Sequence, residues 1–350
     1  MSVEFRLDRF SREEWQHFCQ GFDLQNLFQT WDFAVSHSPK SWLRDLAHCG
    51  LFEDGRPLCL AQIRIKRIPV LGQGVAFLYN GPLWRAEDYP DSMEHLRTFI
   101  QQVKEECCIR RNLELRIIPQ VTYPYNVDEE VGLLLSELGF LRRKEIANLY
   151  QTIFIDLDLD EETLRKNLRG SWRRELKKGE NAGLVIDMGQ TVDYFDRFIA
   201  LYVAMREVKD FYTGIRTSII RRMHVELPED HHFVTSIARD GETDVGAMVC
   251  ATNGKRLLYY LGASHPDRRG SAPGYLLQWY NIQKGKQLGL KWYDLMGLGG
   301  PGVARFKLGM GGSLVTAPYE FQALPGRKPS RAFHLAETAF KKVRHLVSRR

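Results

Sequence analysis

The stretch Leu257-Leu258-Tyr259-Tyr260-Leu261-Gly262-Ala263 runs through His265-Pro266-Asp267-Arg268-Arg269-Gly270-Ser271-Ala272-Pro273-Gly274 into Tyr275-Leu276-Leu277-Gln278-Trp279. Its first seven residues are apolar and aromatic, the composition of a buried β-strand. The middle is rich in Gly, Pro and Ser and breaks regular structure. Pro273 stands where a helix tolerates proline, in its first turn, and the pattern predicts a helix over 273–288. A strand, a glycine-bearing loop and a helix start, in that order, present free backbone N–H groups at a positive helix end, a ready anion site. Arg268 and Arg269 add charge to it.

Downstream, Gly289-Leu290-Lys291-Trp292-Tyr293-Asp294-Leu295-Met296-Gly297 reads as a strand over 292–295 that ends in the glycine-rich loop Gly297–Gly302. Glycines there let backbone approach a ligand closely. Val303-Ala304-Arg305-Phe306-Lys307-Leu308-Gly309-Met310-Gly311-Gly312 follows as a short helix and sets the Lys307 cation beside that loop. The 269–274 loop resembles the pyrophosphate loop of GNAT acetyltransferases, where an Arg or Gln is followed at alternating spacing by small residues. Arg269, Ala272 and Gly274 take those positions, with Ala272 in place of one glycine. Pro273 removes one donor from the cradle.

Upstream, the same alternation of helices, an antiparallel meander, a helix and a further strand is read twice. In the first half, Ser11 caps a helix with Glu13 and Glu14 in its first turn, and a second helix begins near Gln29-Thr30-Trp31. Strands are expected at 45–53 and 58–68, joined by the tight-turn pair Asp54-Gly55, and at 75–79, ended by Asn80-Gly81-Pro82. Helices near 88–106 and 128–138 flank a strand at 113–118. In the second half, a strand near 150–157 precedes a helix capped by Asp160 and a basic helix over 171–181. A strand at 184–188 and a helix at 191–209 follow. Three strands come next, at 232–239, 244–251 and 256–262, and a last strand is read at 314–320. The expected class is mixed α/β with two domains, 1–147 and 148–325, and a basic amphipathic helix in 326–350.

Composition agrees with a globular chain. Of 350 residues, 44% are apolar and 26% charged, which excludes a wholly disordered or fibrous protein. Lys plus Arg is 49 and Asp plus Glu 43, so the charge of +6 permits an anionic partner without demanding one. No apolar run approaches the roughly 20 residues of a spanning helix. The start, Met1-Ser2-Val3-Glu4-Phe5-Arg6, is charged rather than signal-like. Six scattered cysteines without a Cys-x-x-Cys pair read as reduced, mostly buried thiols, and the expected compartment is the cytoplasm. His231-His232 has no further ligand at a suitable spacing, so no metal is expected.

Trp292-Tyr293-Asp294, the glycine-rich loop, Phe306-Lys307 and Gly311-Gly312, with Gln278-Trp279 in the preceding helix, together resemble the Fem-type aminoacyltransferases (the FemABX group). Related GNAT-like proteins of polysaccharide clusters share the pattern. Asp156–Leu164 and the run Ser171-Trp172-Arg173-Arg174-Glu175-Leu176-Lys177-Lys178-Gly179 look like that family's start of domain two. Met205-Arg206 looks like its pyrophosphate-contacting arginine, Tyr79-Asn80-Gly81-Pro82 like its Tyr…Gly-Pro turn, and Gln29-Thr30-Trp31 like its N-terminal signature. The resemblance implies two tandem GNAT-like (acyl-CoA N-acyltransferase) folds. It also implies transfer of an amino acid from aminoacyl-tRNA to an amine of a peptidoglycan or other cell-envelope precursor, with aminoacyl-tRNA as co-substrate and no bound cofactor. The sequence departs from the family at Asn80, where an arginine is usual, at Trp84 and Arg85, near a usual Asp, and at Ser36 and His37, where a lysine is expected.

Aminolysis of an ester needs a neutral amine, a donor for the developing oxyanion and a route for the leaving-group proton. Lys307, Phe306 and Asp294 are the expected catalytic residues, Lys307 as fixed positive charge and Asp294 as a base or a turn cap. Arg206, Tyr79, Gly81, Tyr260, Arg268, Arg269, Gly270 and Gly274 are the expected substrate-binding set. Arg173, Arg174, Lys177 and Lys178 recur at helical spacing and are the expected tRNA contacts. Peripheral membrane contact stays open for the tail helix. Two alternatives stand beside this reading: an acyl-CoA-dependent N-acyltransferase of polysaccharide or small-metabolite biosynthesis, and a non-catalytic RNA- or nucleotide-binding module.

Overall fold

The computed structural model describes residues 3–37, 44–67, 73–85, 92–143, 151–209, 217–226, 233–267, 269–316 and 319–326. In chain order the first half forms β1 (Val3–Leu7), α1 (Arg12–Cys19), a 3-10 turn (Leu27–Gln29), α2 (Trp31–His37), β2 (Arg44–Glu53), β3 (Arg56–Arg67), β4 (Gly74–Tyr79), α3 (Ser92–Lys104), β5 (Leu113–Ile118), α4 (Asp128–Glu137) and β6 (Leu141–Arg142). The second half forms β7 (Gln151–Asp156), α5 (Glu161–Asn167), α6 (Gly170–Glu180), β8 (Val185–Gly189), α7 (Val192–Lys209), α8 (Thr217–Glu226), β9 (Val234–Asp240), β10 (Thr243–Asn253) and β11 (Arg256–Ser264). It continues with α9 (Pro273–Gln287), β12 (Trp292–Asp294), α10 (Pro301–Leu308) and β13 (Ser313–Thr316), and β14 (Phe321–Ala323) comes last.

Local chemistry explains these elements. Ser11 Oγ accepts from the Glu14 N–H at 3.1 Å and Glu14 returns the bond to the Ser11 N–H at 2.8 Å, a reciprocal cap that starts α1. Asp54 and Gly55 both have positive φ, 49° and 84°, and the turn they make closes the β2–β3 hairpin. The helix expected to begin near Gln29-Thr30-Trp31 starts at Trp31. Asn26 Oδ1 accepts from the N–H groups of Phe28 and Gln29 and winds the preceding residues into the 3-10 turn.

Each half closes one seven-stranded sheet, ordered β1-β2-β3-β4-β5-β14-β6 and β13-β7-β12-β11-β10-β9-β8. Read slot by slot the two sheets match. Four antiparallel strands lead to one parallel partner, β5 on β4 and β12 on β11. An antiparallel strand follows, β14 on β5 and β7 on β12. The slot beside the parallel strand is thus filled from the C-terminal side in one sheet and from the N-terminal side in the other. Accordingly the chain divides into compact units of residues 1–149 with 316–350, and 150–315. Residues 321–323, inside the range expected for the second domain, form a strand that is hydrogen-bonded into the first sheet. Phe321 and Ala323 are buried there among Leu115, Ile117 and Leu135 of the first core. The strand expected at 314–320 is correspondingly short, Ser313–Thr316. The tail helix falls outside the described residues. Among the described residues, no helix is long and apolar enough to cross a membrane.

Five of the six cysteines are buried, and none is bonded to another. Burial pushes the thiols of Cys107 and Cys250 up to about 12 and that of Cys108 up to about 11, which holds them protonated and unreactive. Cys107 and Cys108 lie in a π-helical segment, Glu105–Arg110, that ends α3.

Candidate active site

In the second sheet β11 and β12 pair over only three residues, Arg256–Leu258 with Trp292–Asp294. Beyond them the strands part. The Leu295 N–H goes to the carbonyl of Ile153 and that of Leu298 to Gln151, so the chain after β12 follows β7. β11 continues alone on that side to Ser264. A bulge sits at the divergence: Leu261 pairs with Val249 and Tyr259 with Cys250, which leaves Tyr260 extra. The first sheet has no such opening, because β4 and β5 pair over six residues from Gly74 to Tyr79.

Lys307 occupies the point of divergence. It is only 5% exposed, and its Nζ donates to the carbonyls of Leu295 and Gly297, both at 2.6 Å. The ammonium also lies 5.0 Å from the centroid of the Tyr259 ring. Burial lowers its pKa from 10.5 to about 8, against the opposing pull of the Asp294 carboxylate. An ammonium has three N–H donors, and these two carbonyls use two of them.

Asp294 ends β12 and is nearly enclosed. One carboxylate oxygen accepts from the Thr152 hydroxyl and from the Met296 N–H at 2.9 Å, and the other lies 3.7 Å from Arg256. Met296 takes a positive φ of 55° in the turn that results. Asp294 therefore holds the turn whose carbonyls receive Lys307. The bonds to the first oxygen are those of a turn cap, one of the two expected roles.

The helix carrying Lys307 is clamped at its C-terminal end. The Arg169 N–H reaches the Gly309 carbonyl at 2.9 Å and the Trp172 indole reaches the Phe306 carbonyl at 3.1 Å, so α6 satisfies carbonyls that α10 leaves open. Trp172, Tyr275 and Phe306 pack ring to ring, with Tyr275 meeting Trp172 and Phe306 at 4.9 Å in each case. Side chains at the Gly-Gly step are excluded for a steric reason. A Cβ on Gly311 would lie 2.2 Å from the Asn167 carbonyl oxygen, and one on Gly312 2.5 Å from that of Phe154.

α6 also lies against the start of α9: a Cβ on Gly179 would meet Leu276 Cβ at 3.1 Å and the Ala272 carbonyl at 3.3 Å. The basic helix and the 269–274 loop, two separate features of the sequence, are therefore neighbours. Ala272 precedes α9 with a φ of 53° and Pro273 opens the helix. Gly270 and Gly274 face open space. Arg268 and the side chain of Arg269 lie outside the described residues. On α6 the four expected cations are exposed. Arg173 is committed locally, donating to the carbonyls of Lys166 at 2.8 Å and Leu168 at 2.6 Å. Arg174, Lys177 and Lys178 carry no ion pair among the described residues. Arg206 on α7 has a buried Nε without a hydrogen-bond partner. Tyr260 stacks on Phe233 at 5.4 Å.

Tyr79 and Gly81 belong to the first unit. Gln29, unremarked beyond its motif, is central there: its Nε2 donates to the Tyr79 carbonyl at 2.8 Å and its Oε1 accepts from the Gln62 N–H at 2.8 Å. Asn26 Nδ2 reaches the Asn80 carbonyl at 3.0 Å. The Gln29-Thr30-Trp31 signature thus pins the Tyr79–Gly81 turn, and a Cβ on Gly81 would strike the Gln29 amide at 2.7 Å. Trp84 is buried in the first core. Among the described residues, no cluster of three or more His, Cys, Asp or Glu could hold a metal.

Residues 165–308 match the family model of the acetyltransferase (GNAT) domain. The crystal structure of FemX superposes with a TM-score of 0.75, covering 91% of this chain and 97% of FemX at 15% identity. The chain has the FemX fold. A conserved protein of unknown function from Bacteroides thetaiotaomicron VPI-5482 superposes at 0.57 and 13% identity, covering 93% of this chain and all of that one. The C-terminal domain assigned to a lysylphosphatidylglycerol synthetase of Agrobacterium fabrum reaches 0.52 at 13% identity, covering 83% and 87%. No curated protein sequence matches the chain. The architecture is therefore two tandem GNAT-like domains, and in the second the strands part at Lys307.

Proposed function

We propose that this FemX-like protein is an aminoacyltransferase that moves an amino acid from aminoacyl-tRNA to an amine of a peptidoglycan or other cell-envelope precursor. The observation that carries the reading is Lys307, a buried ammonium fixed by two carbonyls at the strand divergence with one N–H donor left over. The aromatic cluster beside it is built on α6, which also bears the free cations Arg174, Lys177 and Lys178. One helix thus links a surface suited to phosphates with the reacting centre.

The amine nitrogen attacks the ester carbonyl carbon, the C–N bond forms and negative charge collects on the carbonyl oxygen. Lys307 donates its remaining N–H to that oxygen. Collapse breaks the C–O ester bond, and the departing ribose oxygen takes the proton given up by the amine. Asp294 fixes the turn that receives Lys307.

A second reading is favoured by the α9 start. Gly270 and Gly274 leave room at the helix N-terminus, where the pyrophosphate of an acyl-CoA would lie. The test is transfer of a labelled amino acid from charged tRNA to an amine acceptor, with and without prior RNase. RNase stops transfer in the favoured reading, and added acetyl-CoA leaves it stopped. Transfer from acyl-CoA that ignores RNase, with Gly274→Pro inactive, installs the second reading.

A further inference from the structure

Residues opposite one another in a sheet, and residues two apart on a strand, share a face. Tyr259 on β11 pairs with Cys250 on β10, and Leu257, two residues back, pairs with Tyr293 on β12. Tyr259, Cys250 and Tyr293 therefore line one face of the second sheet. α9 packs on that face: the Tyr293 hydroxyl donates to Gln278 Oε1 at 2.5 Å, and Cys250 Sγ lies 4.0 Å from the same hydroxyl. Tyr293 and Gln278 are fully buried. Tyr259 packs against two apolar clusters, one with Cys250 and Tyr293 and the other with Met248 and Leu277, which leaves its ring little freedom.

The ring of Tyr259 lies over Gly262. A Cβ at that position would fall 2.1 Å from the tyrosine hydroxyl and 3.1 Å from ring carbon Cζ, so the glycine is what lets the ring lie there. The Lys307 ammonium stands 5.0 Å from the ring centroid. That is within the roughly 6 Å over which the negative face of an aromatic ring attracts a cation. It is too long for an N–H bond to the ring, so the third donor of Lys307 stays free. Among the described residues, the charge that acts on Lys307 is the Asp294 carboxylate on β12, with Arg256 3.7 Å behind it. From α6 and α9, Trp172 and Tyr275 meet the neighbouring Phe306. Burial pushes the hydroxyls of Tyr259 and Tyr293 up and the Cys250 thiol up to about 12, so all three stay neutral where Lys307 titrates.

We propose that Tyr259, seated over Gly262, is a positioning residue that holds the Lys307 ammonium in place by the face of its ring. Two carbonyls fix the ammonium through hydrogen bonds, and the ring adds an attraction that only the charged form feels. The ring thus raises the Lys307 pKa, against the burial that lowers it. The tyrosine hydroxyl takes no part, since phenylalanine presents the same kind of face. The consequence for catalysis rests on the transfer reading above, whereas the contact itself does not.

The Cε resonance of Lys307 is followed by NMR through the pH range around 8 in the full-length protein carrying isotope-labelled lysine, and is assigned by its loss from Lys307→Met. Tyr259→Leu removes the ring and should lower the midpoint by about half a pH unit or more. Tyr259→Phe keeps the face and should leave the midpoint in place. Gly262→Ala leaves Tyr259 in the chain but drives its hydroxyl aside, so it should lower the midpoint too. Combining Gly262→Ala with Tyr259→Phe removes the colliding oxygen and should bring the midpoint back toward that of the parent. A tyrosine that merely packs would change the melting temperature and leave the titration where it is. The alkaline limb of kcat/KM should move with the midpoint in each variant. A Tyr259→Leu protein whose Lys307 titrates as in the parent, or a Gly262→Ala change without effect on it, overturns the proposal. A midpoint that moves as expected in a protein that never accepts charged tRNA keeps this contact and sinks the transfer reading instead.

Discussion

At the residue scale the deciding fact is how little water Lys307 sees. Lys307→Met keeps most of the volume and removes a desolvated charge. Turnover is expected to fall by about two to three orders of magnitude, the range for losing one oxyanion donor, while stability falls by only about 1–3 kcal/mol, because the Leu295 and Gly297 carbonyls lose their donor. Unchanged turnover, or a large loss of stability, defeats the assignment. The pH dependence has a definite sign. The ammonium is the donor, so kcat/KM falls as pH rises through about 8. Stability moves the other way. Folding lowers this pKa from 10.5 to about 8, so between those values the unfolded chain binds more protons and stability rises with pH. Asp294→Asn removes the charge that raises the Lys307 pKa. The alkaline limb should therefore move to lower pH, and a limb that stays in place would detach Asp294 from Lys307.

At the element scale, α6 is both a phosphate-facing surface and a structural clamp, and the two roles use different side chains. Neutralising Arg174, Lys177 and Lys178 removes up to three phosphate contacts. The slope of log affinity for tRNA against log salt should then shrink by about 0.7–0.9 per lost contact, with little change in folding. An unchanged slope excludes the helix from RNA binding. Gly179→Val attacks the clamp instead and should cost about 1–3 kcal/mol in chemical denaturation, since its new atoms press on Leu276 and the Ala272 carbonyl. This distinction marks how far the sequence could be read. Caps and hairpin turns are written locally, and Ser11, Asp160 and Asp54-Gly55 fall where the pattern puts them. The basic face of α6 was legible as well, but Arg173 was not legible as a brace, because its carbonyl partners depend on where α5 ends. The Gln29 network was hidden for a similar reason, its partners being 33 and 50 residues away. β1, β6 and α8 went unread, and β6 is only two residues long, too short for periodicity to show.

At the scale of the whole molecule, the two sheets share one order of slots but not one order of chain. Residues 150–316 supply all seven strands of the second sheet without a break. Residues 1–149 supply six of the seven in the first, and the missing strand, β14, belongs between β5 and β6. Without it β5 has an open edge and the first core lacks Phe321 and Ala323. That strand escaped a local reading because its partners lie some 200 residues back, as the Cys108 thiol bonded to the Ala323 carbonyl illustrates with a separation of 215. The asymmetry has a direct consequence. A fragment of residues 150–316 should melt cooperatively by circular dichroism, while residues 1–149 should not, and adding a peptide of residues 316–330 should restore a transition to the latter. In the intact chain Phe321→Ala should cost the first unit about 3–5 kcal/mol, the range for emptying a buried aromatic site. It should leave the second transition in place. Cooperative melting of residues 1–149 alone, or a Phe321→Ala protein whose transitions do not move, would show that the first sheet does not depend on the returning strand.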